Sequence, residues 1–367
     1  MRIGFFNSIE TWGGGEKWHF ESAVHFAKLG HDVYFFGSKN SKLETKLLEF
    51  PAITYIEVHL TNLSFLNPVK RCYLTSTFEK LQIEVVLINN PRDLKIAAYA
   101  AHSAGVPRII YRRGSAIPIK NTFLNQRIFG NYITDVLANS YATRETILAN
   151  NPQLFPKEKI RVIYNPIDFQ KFDQLVYKKI VPDRKDDSLI IGNLARLAPQ
   201  KNQKFLIDLS VELTRLQIKH QIYITGKGEL ESELKTYNIE KGTDKNVHFL
   251  GFTDSPRSFL VDIDIFILSS LWEGFGYVLA EASLAEKPII AFNNSSNPEL
   301  VKDNISGFLT EVNSIPQMVE KIKKLQDIKL RKEMGISGRK FILESFDKNI
   351  IYKNLEDYIL KGTRTLN

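Results

Sequence analysis

Three segments of this 367-residue chain carry residue types whose spacing suits phosphate and sugar chemistry. In Gly192-Asn193-Leu194-Ala195-Arg196-Leu197-Ala198-Pro199-Gln200-Lys201, two cations stand in the loop after an apolar run. Arginine clamps a diphosphate with two parallel hydrogen bonds, and lysine adds a point charge. A solvated loop with two surface cations would read the same way. In Glu273-Gly274-Phe275-Gly276, Gly274 and Gly276 leave N–H groups open at a helix start, again suited to phosphate. Glu281 follows among Leu279, Ala280, Ala282 and Leu284, where a carboxylate is costly to bury without partners. Ribose or hexose hydroxyls would satisfy it, because an ionised carboxylate only accepts; an exposed helix glutamate is the plainer alternative. The third segment is Trp12-Gly13-Gly14-Gly15-Glu16-Lys17, where three glycines permit close backbone approach at a helix N-terminus. On its own it reads more simply as a flexible turn. It is not G-x-G-x-x-G, which disfavours a dinucleotide.

Two other patterns carry less. Asp262-Ile263-Asp264 has a D-x-D spacing but enters a strand at the end away from the expected ligand. The seven histidines show no zinc-ligand spacing.

These segments need strands and helices to hold them. Short apolar runs, such as 3–6, 33–36, 85–88, 108–111, 136–138 and 161–164, alternate with stretches of helical periodicity such as 16–29. A second series runs through 189–192, 221–224, 247–250, 263–268 and 288–291. Ile- and Val-rich strands alternating with helices predict parallel sheets in an α/β fold. The expected plan is two Rossmann-like domains facing across a cleft, 1–170 and 189–345. A polar linker over 171–188 joins them, and a C-terminal helix over 346–367 packs back on the first domain. Ligands in such folds meet the carboxyl ends of the strands, where all three segments fall.

A hydrophobic content of 43% with 25% charged residues is that of a globular protein. The single cysteine, Cys72, excludes an internal disulfide framework and fits a reducing compartment. The N-terminus lacks the pattern of a signal peptide, and no apolar run nears the ~20 residues that span a bilayer. A cytoplasmic location is expected. The formal charge of +8 suits a polyanionic partner. Without any nucleic-acid-binding motif, phosphorylated small molecules or an anionic membrane fit better than nucleic acid.

Taken in order, the segments resemble the retaining GT-B glycosyltransferases, in particular glycosyltransferase family 4. The likeness covers most of the chain and is strongest over 189–309. The glycine loop matches the family's GGxE segment, and Val162 to Asp168 its strand and turn before the linker, with Pro166 in place of the usual glycine. Arg196 and Lys201 match its diphosphate-binding pair. Glu273 and Glu281 match its E-x7-E pair, preceded by Ser270; Glu299 and Gly307 fit the segment beyond.

The resemblance implies transfer of a sugar from a UDP-, GDP- or ADP-linked donor to a glycan or lipid-linked acceptor, with retention of configuration. Arg196 and Lys201 would neutralise the leaving diphosphate. Glu281 would bind ribose hydroxyls and Glu273 the donor sugar. Backbone N–H groups of Phe275, Gly276 and Gly13-Gly14-Gly15 would complete the phosphate cradle. Neither cofactor nor metal is implied, and bacterial surface-polysaccharide or lipopolysaccharide assembly is. One position departs from the pattern. Where the family commonly has a sugar-contacting histidine, this chain reads Tyr111-Arg112-Arg113-Gly114. Arg113 is the expected substitute as a donor, though not as a base. The two arginines could instead serve an anionic or phosphorylated acceptor, or form salt bridges in the cleft wall. Basic and apolar residues mix over 112–129, which leaves attachment to the inner face of the membrane open. A binding protein without transfer activity, or an epimerase of the same shape, are the competing expectations.

Overall fold

The computed structural model describes residues 1–184 and 186–364. It divides into two compact units, one of Met1–Pro166 with the chain from Lys348 onward, the other of Ile167–Asp347.

The first unit holds β1 (Arg2–Phe6), β2 (Asp32–Gly37), β3 (Ile53–Glu57), β4 (Val85–Ile88), β5 (Arg108–Arg113), β6 (Asp135–Ala138) and β7 (Ile160–Val162). They form one sheet in the order β3-β2-β1-β4-β5-β6-β7, parallel throughout. The second unit holds β8 (Leu189–Leu194), β9 (His220–Thr225), β10 (Val247–Gly251), β11 (Ile265–Leu268), β12 (Ile289–Phe292) and β13 (Gly307–Thr310). Their order is β10-β9-β8-β11-β12-β13, again parallel. In both sheets the winding reverses beside the first strand, between β1 and β4 and between β8 and β11. Doubly wound sheets bind ligands outside the carboxyl ends of the strands at such a switch point.

The central strands β4 and β12 are buried at every position, as helices on both faces require. Alternation sorts β1 between two cores. Phe5 packs with Trp18, Phe26 and Phe35 on one face; Phe6 packs with Phe36, Phe78 and Val86 on the other. Each such side chain contributes about 1.5–3 kcal/mol when fully buried. Two strands have no counterpart among the sequence's apolar runs, β3 and β13, and both are edge strands. An edge strand is half solvated, so it needs no continuous apolar run: β3 has exposed Thr54 and Glu57.

The segment expected as a linker over 171–188 belongs to the second unit. Lys185 lies outside the described residues. Phe169–Gln174 is helical. Beyond it, Tyr177 Oη, Ile180 N and Val181 N donate to Asp262, at 2.7, 3.1 and 3.0 Å, and Arg184 donates to Asp264 at 2.7 Å. The segment is thus tied to the two aspartates by two side chains and two backbone N–H groups. The C-terminal helix starts at Lys348, two residues later than expected, and is described to Arg364; positions 365–367 lie outside the described residues. Ile351, Leu355 and Ile359 join the core of the first unit, and Arg108 donates to the carbonyls of Tyr358 and Ile359 at 2.7 and 2.9 Å. Among the described residues, no helix is long and apolar enough to cross a membrane.

Candidate active site

In the second unit the loops after β8 and β11, the two strands at the switch point, meet. Leu271 N donates to Gln200 O at 2.8 Å, Gln200 Nε2 to Trp272 O at 2.6 Å, and Ser269 Oγ to Lys201 O at 2.9 Å. These bonds fix Lys201 opposite Glu273, and the two side chains form an ion pair at 2.5 Å with 18% and 8% of their surface exposed. Glu273 is itself held by its backbone, for Ser296 Oγ donates to the carbonyls of Glu273 and Phe275 at 3.2 and 2.9 Å.

Arg196 differs from Lys201. It sits in the turn between β8 and the short 3-10 helix Pro199–Lys201, exposed, while Gln203 donates to its carbonyl at 3.0 Å. Its loop rests against the turn after β9. Ala195 N donates to Thr225 O and Leu197 N to Lys227 O, at 3.0 and 3.1 Å. A Cβ on Gly226 would lie 1.9 Å from the Ala195 carbonyl oxygen, and one on Gly228 2.1 Å from that of Leu197. Only glycine allows this approach. These two glycines are support for the Arg196 loop that the expected site omitted; a G-x-G directly after an apolar run was their sequence signal.

Gly276 begins the helix Tyr277–Leu284 at φ +90°, ψ 57°, a left-handed conformation natural to glycine. Phe275 before it is buried, Gly274 is half-buried, and Glu281 lies half-buried one turn into the helix. The structure therefore brings Lys201 and Glu273 into contact and sets Arg196 and the Gly274–Gly276 turn on the same strand-end loops. Asp262 and Asp264 accept from backbone N–H groups, Tyr177 and Arg184. Their carboxylates are used to anchor the segment ahead of β8.

In the first unit the glycine loop follows β1. Gly13 is extended and offers no side-chain cap to the helix Gly14–Lys28, so the first-turn N–H groups have no partner within the helix. A Cβ on Gly15 would meet Asn89 Nδ2 at 2.8 Å. Around this turn runs a buried polar line. Asn7 donates to Glu16 at 3.2 Å, Arg112 to Asn89 at 3.2 Å and to Asn165 at 2.7 Å, and the Arg112 guanidinium stacks over Trp18 at 4.8 Å. Nearby Asp93 is fully buried and accepts from Ser8 N at 2.7 Å and from Ser8 Oγ. Burial pushes its carboxyl above the ordinary range. His19, enclosed by Phe5, Phe35 and Trp18, is held well below its ordinary pKa by burial, and next by the Arg112 charge.

Arg113 is not part of this group. Successive strand residues face opposite ways, so β5 sends Arg112 to the glycine-loop face and Arg113 to the other. There its Nη1 donates to Tyr111 Oη at 3.1 Å and its Nη2 to Ile117 O at 2.7 Å. The expected substitute for a donor-contacting histidine is thus turned away from Gly13–Gly15. Arg112 was missed because the sequence fixes that the pair splits but not which member faces which core.

A profile of the Glycosyltransferase Family 4 proteins matches residues 12–171, and one of the Glycosyl transferases group 1 matches residues 178–341. The chain is 27% identical over 301 residues to the UDP-Gal:alpha-D-GlcNAc-diphosphoundecaprenol alpha-1,3-galactosyltransferase of Escherichia coli, covering 78% of each. It is 26% identical over 348 residues to the capsular polysaccharide biosynthesis glycosyltransferase CapM of Staphylococcus aureus, covering 90% of each. The structure of Anabaena HepE in complex with UDP-glucose superposes with a TM-score of 0.81 at 20% identity, over 98% of this chain and 100% of that one. That of the lipopolysaccharide outer core galactosyltransferase WaaB does so at 0.78 and 21%, over 98% and 99%.

Proposed function

This chain belongs to the GT-B glycosyltransferases of family 4 and group 1, and from that premise we propose that it moves a sugar from a UDP-linked donor onto a glycan or lipid-linked acceptor, with retention of configuration. The observation that carries this is the Lys201–Glu273 pair at the switch point of the second sheet, beside the exposed Arg196. UDP is favoured because the Escherichia coli relative is named for a UDP-sugar and HepE is complexed with one.

When the bond from the anomeric carbon to the β-phosphate breaks, negative charge grows on the leaving diphosphate. Preorganised cations stabilise that charge, commonly the largest contribution to such catalysis. Lys201 is set in place by the backbone bonds of its loop, and Arg196 supplies a guanidinium fork. The left-handed turn at Gly276 that opens the helix Tyr277–Leu284 lets backbone approach the phosphates closely. Glu273 accepts from sugar hydroxyls and Glu281 from those of the ribose. The reaction is proposed to run without a divalent metal, since the D-x-D carboxylates are engaged by Tyr177, Arg184 and backbone groups. A role in bacterial surface-polysaccharide or lipopolysaccharide assembly follows the names of the relatives, and a place at the inner face of the membrane is proposed with it.

The test is UDP release from a panel of UDP-sugars given with diphospholipid-linked sugar acceptors, in EDTA, with the product's anomeric configuration read by NMR. Acceptor-dependent release with retention supports the proposal. An inverted product, or release only with added metal, counts against the corresponding part.

A further inference from the structure

The face of the first sheet that receives Arg113 holds a pocket of about 250 Å³. Its wall is largely apolar, from Leu94, Tyr111, Ile119, Ile128 and Phe129, yet three cations line it: Arg113, Lys95 and Lys120. Arg113 is only 9% exposed. Its hydrogen bonds go to a phenol and a carbonyl, both neutral, and its Nε has no hydrogen-bond partner among the described residues. A buried cation without a charged partner is costly, and an anion delivered into the pocket would remove that cost. The surrounding sequence reinforces the sign. Residues 94–134 contain six Lys or Arg and no Asp or Glu.

The anion cannot be a nucleotide sugar held whole. Pockets for drug-sized ligands run to roughly 300–1,000 Å³, so this one takes one end of a larger molecule. An apolar wall with cations fits a phosphate that carries a hydrocarbon. Outside, Phe123 is 77% exposed and Ile117 44% exposed, close in sequence to Lys120, so hydrocarbon beyond the pocket finds apolar surface.

We propose that this pocket binds the phosphate end of a phosphorylated amphiphile, with Arg113 as the buried counter-charge and Lys95 and Lys120 beside it. Its meaning rests on the glycosyl-transfer function: the ligand would be the lipid part of the acceptor, held on a face of the first unit other than the one carrying the glycine loop.

The test is binding to the full chain, by calorimetry, of farnesyl phosphate, farnesol and inorganic phosphate, with UDP measured in parallel. Farnesyl phosphate is expected to bind, farnesol about tenfold or more weakly because it lacks the charge-assisted hydrogen bond, and inorganic phosphate about tenfold or more weakly because it lacks the apolar contact. Lys95→Ala with Lys120→Ala keeps Arg113 in the fold and is expected to weaken farnesyl phosphate about tenfold without changing UDP binding; Arg113→Gln is expected to do more. Inorganic phosphate binding as well as farnesyl phosphate would make this a plain anion site, and farnesol binding as well a plain apolar one. Either overturns the inference, as does no binding of any of the three or no effect of the double variant. Loss of UDP binding alone fells the donor site and leaves this pocket standing.

Discussion

Lys201 cannot serve Glu273 and a diphosphate equally, and that competition gives a prediction of definite sign. The pair sits at 2.5 Å with both side chains largely buried. A hydrogen bond between charged groups contributes about 1.5–3 kcal/mol net; with Lys201 still 18% exposed, the lower end applies. Glu273→Gln keeps the shape, removes a carboxylate that repels phosphate, and releases Lys201. It is predicted to tighten UDP binding by up to about tenfold, since about 1.4 kcal/mol is a factor of ten. Lys201→Met is predicted to weaken UDP by about tenfold or more. Transfer is predicted to fall in both, by about a hundredfold or more for Lys201→Met, the scale for losing one preorganised charge stabiliser. Calorimetric titration with UDP at fixed ionic strength, alongside transfer rates, reads all of this. If Glu273→Gln weakened UDP as much as Lys201→Met, the two would act together on the phosphate, and the competition argument would be refuted.

Other variants probe separate parts. Gly226→Ala drives a Cβ toward the Ala195 carbonyl and should destabilise by about 1–3 kcal/mol while abolishing UDP binding; Gly335→Ala, which meets the Glu286 carbonyl oxygen at 2.0 Å, should destabilise similarly with UDP affinity unchanged. Equal UDP loss in both variants would show that global damage, not the Arg196 loop, is being measured. For His19, the folded pKa lies well below the ordinary 6.5, so the unfolded chain binds the extra proton first. Its contribution to stability is full above that value and is lost as pH falls below it, at up to about 1.4 kcal/mol per pH unit. His19→Phe should flatten the fall in Tm between pH 7 and 5; an unchanged slope would contradict the assignment.

The sequence shows most of the fold because the interior strands are buried on both faces. Runs such as Val85–Ile88 and Ile289–Phe292 can hardly be anything else. It is silent on β3 and β13, whose edge positions relax the demand for apolar residues. In the second unit the contact between Lys201 and Glu273 is foreshadowed only by the family resemblance, since two cations in a loop read equally well as a solvated surface. The supports of these loops are not legible. Gly226 and Gly228 are constrained by a loop that only the pairing of β8 with β9 brings near. Likewise, the fates of Arg112 and Arg113 depend on which face of β5 carries the helix Gly14–Lys28. At 171–188 the composition reads as a linker and does not show the ties to Asp262 and Asp264, two of which come from the backbone of Ile180 and Val181.

The central claim is that Arg196 and its neighbours hold a nucleotide diphosphate, and thermal stabilisation tests it most directly. UDP, GDP, ADP, their sugars and NAD would be compared on the wild-type chain and Arg196→Ala, with and without EDTA. Arg196 is exposed, so the variant alone should change stability by no more than about 0.5 kcal/mol. A ligand at 100 times its Kd adds about 2.7 kcal/mol. Stabilisation by UDP and its sugars, indifferent to EDTA and lost in Arg196→Ala, is the predicted result. Stabilisation by NAD alone, or by UDP undiminished in the variant, would contradict it.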